Sequence, residues 1–109
     1  MLLMLSEKGK HASATENRRF VWQKIVWPLI LELNDVAFTL KQYQKKRDEV
    51  CKNDGTMITS TSRGLVSLLK KGMLYKEKDL YSIHYRLIAY MRLKADCDYA
   101  TAIHEVKIK

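Results

Sequence analysis

The spacing of the apolar residues changes at Gly72, and this change limits the possible folds more than any other feature of the sequence. Over residues 81–87, apolar and aromatic residues alternate with polar ones. A period of two residues, with apolar and aromatic side chains at every second position, is typical of a half-buried strand. Residues 73–76 before it complete a predicted β-hairpin, with the turn at residues 77–79. The alternative is a helix, because a second set of positions shares one helical face: Leu80, His84, Leu87, Ile88 and Met91.

Before Gly72 the apolar residues follow helical spacing. Pro28 interrupts the first apolar stripe, whose members are Trp22, Ile25, Val26, Leu29, Ile30 and Leu33. Proline lacks a backbone N–H and its ring clashes with the helix one turn back. We therefore expect either one kinked helix or two abutting helices, with both tryptophans in the core.

Two hydroxyl residues predict the starts of the first and second helices. Ser13 precedes Glu16 by three residues, and Thr39 precedes Gln42 by three. This is the spacing of a capping box, in which the two side chains satisfy free backbone N–H groups at the beginning of a helix.

A third helix and a C-terminal helical segment complete the predicted elements. Residues 59–62 offer four N-caps in a row for the third helix, and Gly72 is expected to end it. From residue 88 the chain returns to helix, with a break expected at residues 94–98. The apolar positions of this last segment are Ile88, Met91, Ala102, Ile103 and Val106.

The composition is that of one small globular domain with a basic surface. Of the 109 residues, 47% are hydrophobic and 29% are charged, which excludes a disordered chain. The net charge of +8 favours a polyanionic partner, nucleic acid first and acidic lipid second. Cys51 and Cys97 cannot form a disulfide framework, which favours a reduced compartment.

The sequence also predicts how the chain is divided. The apolar residues 1–5 are too short for a signal peptide, and no stretch reaches the roughly 18 apolar residues of a membrane span. We therefore expect a soluble cytoplasmic protein. Residues 1–15 are expected to form a flexible arm, residues 16–87 the folded domain, and residues 88–109 a C-terminal helix available for dimerisation.

The order of the predicted elements resembles the winged helix-turn-helix superfamily of DNA-binding proteins. The closest stretch is SRGLVSLLKKGML at residues 62–74, which is similar to the recognition helix and first wing strand of small bacterial, archaeal and viral regulators. The resemblance implies an α+β, mostly helical fold with a two-stranded wing and flanking N- and C-terminal helices. It further implies a sequence-specific double-stranded DNA-binding protein that regulates transcription.

The resemblance places the DNA contacts on three elements. Helix 60–71 would read the major groove through Ser60, Thr61, Ser62, Arg63, Ser67, Lys70 and Lys71. The preceding helix and the wing, residues 73–87, would hold the backbone or minor groove through Lys41, Lys45, Lys46, Arg47, Lys76 and Lys78. Residues 41–78 carry ten basic and four acidic residues, so +6 of the total +8 lies in this region.

Regulators similar to this one commonly dimerise through their flanking helices, and a two-fold DNA site suits a dimer. The expected partners are therefore double-stranded DNA and a second copy of the chain. No CxxC or HxxxH spacing, phosphate-cradling glycine loop or nucleophile–base set is present, so no metal, cofactor or enzymatic activity is expected.

Three other functions are compatible with the sequence. An all-α protein-interaction module is one, because residues 87–103 are loosely similar to a helical-repeat hairpin, although a solenoid needs several such units. A DNA-binding adaptor in plasmid partition or replication is the second. The third is a basic peripheral membrane protein that uses residues 1–5 as a weak anchor.

Overall fold

The first helical segment continues through Pro28 by changing its pitch. In the computed structural model, which describes residues 13–52 and 54–107, α1 (Ala14–Val21) leads into a π-helical turn (Trp22–Val26) and then α2 (Trp27–Leu33). The π-helical turn lies where the proline ring would clash with an ordinary helix. The predicted interruption at Pro28 is therefore a local widening of the helix.

Both predicted capping boxes are confirmed. The Ser13 hydroxyl accepts from the Glu16 amide, and the Glu16 carboxylate accepts from the Ser13 amide. Thr39 and Gln42 make the same reciprocal pair at the start of α3 (Leu40–Cys51). Because α1 begins at Ala14, residues 14 and 15 are helical, which differs from the predicted arm; residues 1–12 lie outside the described part of the chain.

A short strand between the first and second helical segments was not predicted. Strand β1 (Ala37–Thr39) pairs antiparallel with β3 (Leu80–Ile83), which also pairs antiparallel with β2 (Leu74–Glu77). The sheet order is β1-β3-β2, so the hairpin strand β3 lies at the centre. The fold is therefore α+β and mostly helical, as expected, with three strands instead of two.

The predicted hairpin is confirmed, but its second strand is shorter than the alternation suggested. The turn consists of Lys78 and Asp79, and Lys78 has a φ of 58°. After Ile83 the chain forms a 3₁₀ turn (Tyr85–Leu87). Leu87 is therefore a buried residue of this turn and not of a strand. Helix α5 (Ile88–Arg92) follows directly.

The third helix begins earlier than its hydroxyl-rich segment predicted. Helix α4 (Gly55–Lys70) has Asp54 as its N-cap, and the Asp54 carboxylate accepts from the amides of Thr56 and Met57. Residues 59–62 are therefore inside the helix. The expected end at Gly72 is confirmed, since Gly72 has a φ of 77°.

Replacing Asp54 with alanine is expected to destabilise the protein by about 1 kcal/mol, because two amides of the first turn lose their acceptor. Urea unfolding followed by circular dichroism measures this loss. Asp54→Asn is the matched control, since asparagine keeps a carbonyl oxygen at the same position and should retain most of the stability. Equal losses for the two variants would contradict the capping role.

The C-terminal residues belong to the same core as the helices before them. Helix α6 (Tyr99–Lys107) buries Tyr99 and Ala102, and Met91 of α5 is also buried. The predicted break between these helices is confirmed at residues 93–98. Most of the apolar side chains expected at a dimer interface therefore pack against their own chain: Met91 and Ala102 are buried, and Ile88, Ile103 and Val106 are partly buried against the core.

Candidate nucleic-acid interface

The outward face of α4 is basic and free of carboxylates, and it includes one exposed apolar side chain, Val66. Five of its exposed side chains recur at the spacing of one helical face: Thr59, Ser62, Arg63, Val66 and Lys70. The helix contains no aspartate or glutamate. Lys71 is exposed at its C-terminal end. We call the five residues from Thr59 to Lys70 the α4 face.

Two of the residues expected to read bases are buried. Ser60 is 5% exposed and Thr61 is 1% exposed. The Thr61 hydroxyl donates to the Ile58 carbonyl, and the Thr61 carbonyl accepts from the Tyr43 hydroxyl. Because α4 starts at Gly55, positions 60 and 61 fall on its inner side. The predicted base contacts of Ser60 and Thr61 are therefore wrong. Thr59 and Val66, which were not predicted to contact DNA, lie on the outer face instead.

The hydroxyl groups of the α4 face point back to the helix backbone. Thr59 donates to the Gly55 carbonyl and Ser62 donates to the Ile58 carbonyl. In this arrangement each hydroxyl presents acceptor lone pairs to solvent. Arg63 and Lys70 supply the charged donors of the same face.

The cations of α3 divide into two groups. Lys41 and Lys45 are exposed. Lys46 forms an ion pair with Glu32 and approaches Glu49 to 3.9 Å, and Arg47 is paired with Asp48 at 2.9 Å. The charges of Lys46 and Arg47 are therefore partly neutralised within the protein, whereas Lys41 and Lys45 are available for an anionic partner.

The hairpin presents its cations together with carboxylates. Lys76 and Lys78 are both exposed, and so are Glu77 and Asp79. The Lys76 ammonium lies 5.6 Å from the centre of the Tyr81 ring, which holds its stem along the sheet. The net charge of the hairpin tip is zero, so any attraction for an anion depends on which side chains face it.

Behind the α4 face lies a buried arginine that sequence reasoning did not identify. Arg18 of α1 is 8% exposed and donates to the Tyr99 hydroxyl at 2.8 Å, to the Ser67 hydroxyl at 2.7 Å and to the Thr15 hydroxyl at 3.0 Å. None of the described carboxylates forms an ion pair with it. Arg18 therefore joins three helices while it retains an uncompensated positive charge.

A second polar group is buried at the base of the hairpin. His84 stacks on Tyr85 at a centroid distance of 4.5 Å and meets the tilted ring of Tyr75 at 5.6 Å, and its Nδ1 accepts from the Arg86 amide. Burial and the neighbouring Arg86 charge lower the pKa of His84. The neutral imidazole is therefore the form that caps the 3₁₀ turn.

The described residues hold no group of three histidine, cysteine or acidic side chains placed to bind a metal ion. Burial raises the pKa of Cys97 to about 12 and also raises the pKa of Cys51, which keeps both thiols protonated and weakly nucleophilic. Within residues 13–52 and 54–107, no helix combines the length and apolar character needed to cross a membrane.

The geometry therefore singles out one surface, the α4 face, with the exposed cations of α3 and the hairpin as candidate flanks. Comparison of the chain with protein-family models, with curated proteins and with solved structures finds no match.

Proposed function

We propose that this protein binds double-stranded DNA in a sequence-specific manner, with α4 in the major groove and the β2–β3 hairpin against the adjacent backbone or minor groove. The observation that carries the proposal is the acid-free α4 face on a helix that leads directly into a β-hairpin. A helix can enter the major groove when its exposed side chains are polar or cationic and fit the width of the groove.

The order of elements supports the same proposal. A helical segment, a short strand, two helices and a hairpin follow one another, and the sheet order β1-β3-β2 places the first strand beside the hairpin. This arrangement is similar to a winged helix-turn-helix domain, in which the third helix is the recognition helix. In this chain α4 takes that place, and the β2–β3 hairpin takes the place of the wing.

Exposure and ion pairing decide which individual residues this proposal uses. Arg63 is exposed near the middle of α4 and is the side chain best suited to bind the O6 and N7 acceptors of guanine. Thr59 lies one turn closer to the N-terminus of the helix and Ser62 directly precedes Arg63; both side chains are small enough for close approach to base edges. Of the four cations expected to contact the backbone from α3, Lys41 and Lys45 are retained in this proposal, because Lys46 and Arg47 already have carboxylate partners.

Regulation of transcription by two copies on a two-fold DNA site is part of this proposal. The interface between the copies differs from the one expected, because Met91 and Ala102 are enclosed by their own chain. Leu93, which is 78% exposed just after α5, is an apolar side chain of the described C-terminal segment that remains accessible for such a contact.

Replacing Arg63 with alanine is expected to weaken binding to a selected duplex by roughly 1–3 kcal/mol and to relax the preference at one base pair. The duplex is obtained by selection from a random pool, and binding is followed by fluorescence anisotropy. Arg63→Lys keeps the charge but loses the planar pair of donors, so it should retain the salt dependence and lose the base preference.

Arg92→Ala is the matched control, since Arg92 is exposed on α5 and lies outside α4. This variant should bind within about twofold of the wild type because surface substitutions away from an interface have small effects. Equal losses for Arg63→Ala and Arg92→Ala would refute the assignment of the α4 face. Failure of the wild-type protein to bind any duplex at low salt would refute the function and favour a protein-interaction module.

A further inference from the structure

An open groove runs between the first turn of α1 and the C-terminal half of α4. Its lining consists of Ala14, Ser62, Arg63, Val66, Ser67 and Lys70. Two of these residues are cations and none is a carboxylate. The nearest acidic residue along α1 is Glu16, whose carboxylate accepts from the Ser13 amide in the capping box. The charged side chains of the groove are therefore cationic, and they lie beside the apolar side chains of Ala14 and Val66.

Arg18 strengthens the positive potential of this groove from behind. Its guanidinium donates to the hydroxyl oxygen of Ser67, which is itself a lining residue. The charge of a buried group is screened less by salt than that of an exposed one, and low-dielectric surroundings direct its field toward the open side. Arg18 has no carboxylate partner among the described residues, so no ion pair there offsets its charge.

The hydroxyl oxygen of Ser67 already accepts one hydrogen bond, from Arg18. The Ser67 oxygen accepts from Arg18, and no described hydrogen bond uses the proton of that hydroxyl. The proton is therefore free to be donated to a ligand in the groove. Ser62 differs, because its hydroxyl already donates to the Ile58 carbonyl. Ser67 is thus a hydrogen-bond donor that lines the same groove as Lys70.

We propose that this groove binds one phosphodiester group of the DNA backbone, with Ser67 donating a hydrogen bond and Lys70 supplying the adjacent charge. This inference rests on the proposed function. Lys70 lies seven residues after Arg63, which is about 10 Å along the helix, so a phosphate at Lys70 and a base at Arg63 are separate contacts. A phosphate fixed at this point would set the register of α4 in the major groove.

The test introduces a carboxylate into the groove without loss of a core contact. Ala14→Glu places a negative charge in the first turn of α1, where acidic residues stabilise a helix. The probe is the selected duplex, titrated at several salt concentrations. We expect binding to weaken about threefold to tenfold near 0.1 M salt and the slope of log K against log salt to fall by about one.

Ala100→Glu is the matched control, because Ala100 is exposed in the first turn of α6 and does not line the groove. It changes the net charge by the same amount and should leave the salt slope unchanged. Equal effects of the two variants would overturn the groove and leave the DNA-binding function intact. A wild-type protein that binds no duplex would overturn both. If Ala14→Glu does not fold, Lys70→Gln is compared with Lys107→Gln in the same titration. A lower salt slope for Lys70→Gln alone would support the groove, and equal effects of the two variants would overturn it.

Discussion

Replacing Trp22 with alanine is expected to lower the free energy of unfolding by about 3–5 kcal/mol. The Trp22 side chain is fully buried, its ring stacks on Trp27 at a centroid distance of 5.6 Å, and its indole N–H donates to the Cys97 carbonyl at 2.8 Å. The substitution would leave a large cavity and a buried carbonyl without its donor. A loss of this size approaches the whole stability of a small domain.

Chemical denaturation followed by far-ultraviolet circular dichroism measures the effect. Tyr85→Ala is the matched control, because Tyr85 is an aromatic residue that is 65% exposed. Its replacement should change the stability by about 0.5 kcal/mol or less. Similar losses for the two variants would show that Trp22 is not in the core described above.

The two tryptophans also explain why the C-terminal segment packs into the same core as the first helices. The Trp27 indole donates to the Ala95 carbonyl at 3.1 Å, so both indoles hold the loop between α5 and α6. This loop positions Tyr99, whose hydroxyl accepts from Arg18. The first helix, the candidate DNA-binding helix and the last helix are therefore coupled through one set of hydrogen bonds.

The features that could be predicted from the sequence are those encoded within a few residues. Both capping boxes depend on a pair three positions apart, and the hairpin depends on an alternation within one segment. Strand β1 could not be predicted because three residues are too few to show a period. The start of α4 was misplaced because a run of hydroxyl residues offers several N-caps, and Asp54 provides the cap that is used.

The candidate site was predicted only in part because its decisive contacts are distant in sequence. Arg63 and Lys70 were identified from local pattern and charge. Arg18, however, meets Ser67 across 49 residues and Tyr99 across 81, and no local pattern encodes such a contact. The pairing of Lys46 with Glu32 is likewise between two helical segments, so counting charges along the chain overestimated the cations available on α3.

Helix α4 contains a glycine at the point where α1 crosses it most closely. An ideal Cβ at Gly64 would lie 2.5 Å from a Val21 methyl carbon and 2.6 Å from the Asn17 carbonyl oxygen. A glycine inside a helix costs about 1 kcal/mol relative to alanine. The close approach of the two helices explains why a residue with poor helix propensity occupies this position, since any side chain there would push α1 away from α4.

Replacing Gly64 with alanine is therefore expected to destabilise the protein by about 2 kcal/mol, the difference between an overpacking cost of roughly 3 kcal/mol and the helix-propensity gain. Gly55→Ala is the matched control, because a Cβ at Gly55 meets no atom within 4 Å, and it should be neutral or slightly stabilising. Urea denaturation of both variants measures the difference.

Adding Val21→Ala to Gly64→Ala should not restore stability, because the Asn17 carbonyl belongs to the backbone of α1 and cannot move without the helix. A stabilised Gly64→Ala variant would contradict the close crossing of α1 and α4, and with it the position of Ala14 and Arg18 beside the α4 face.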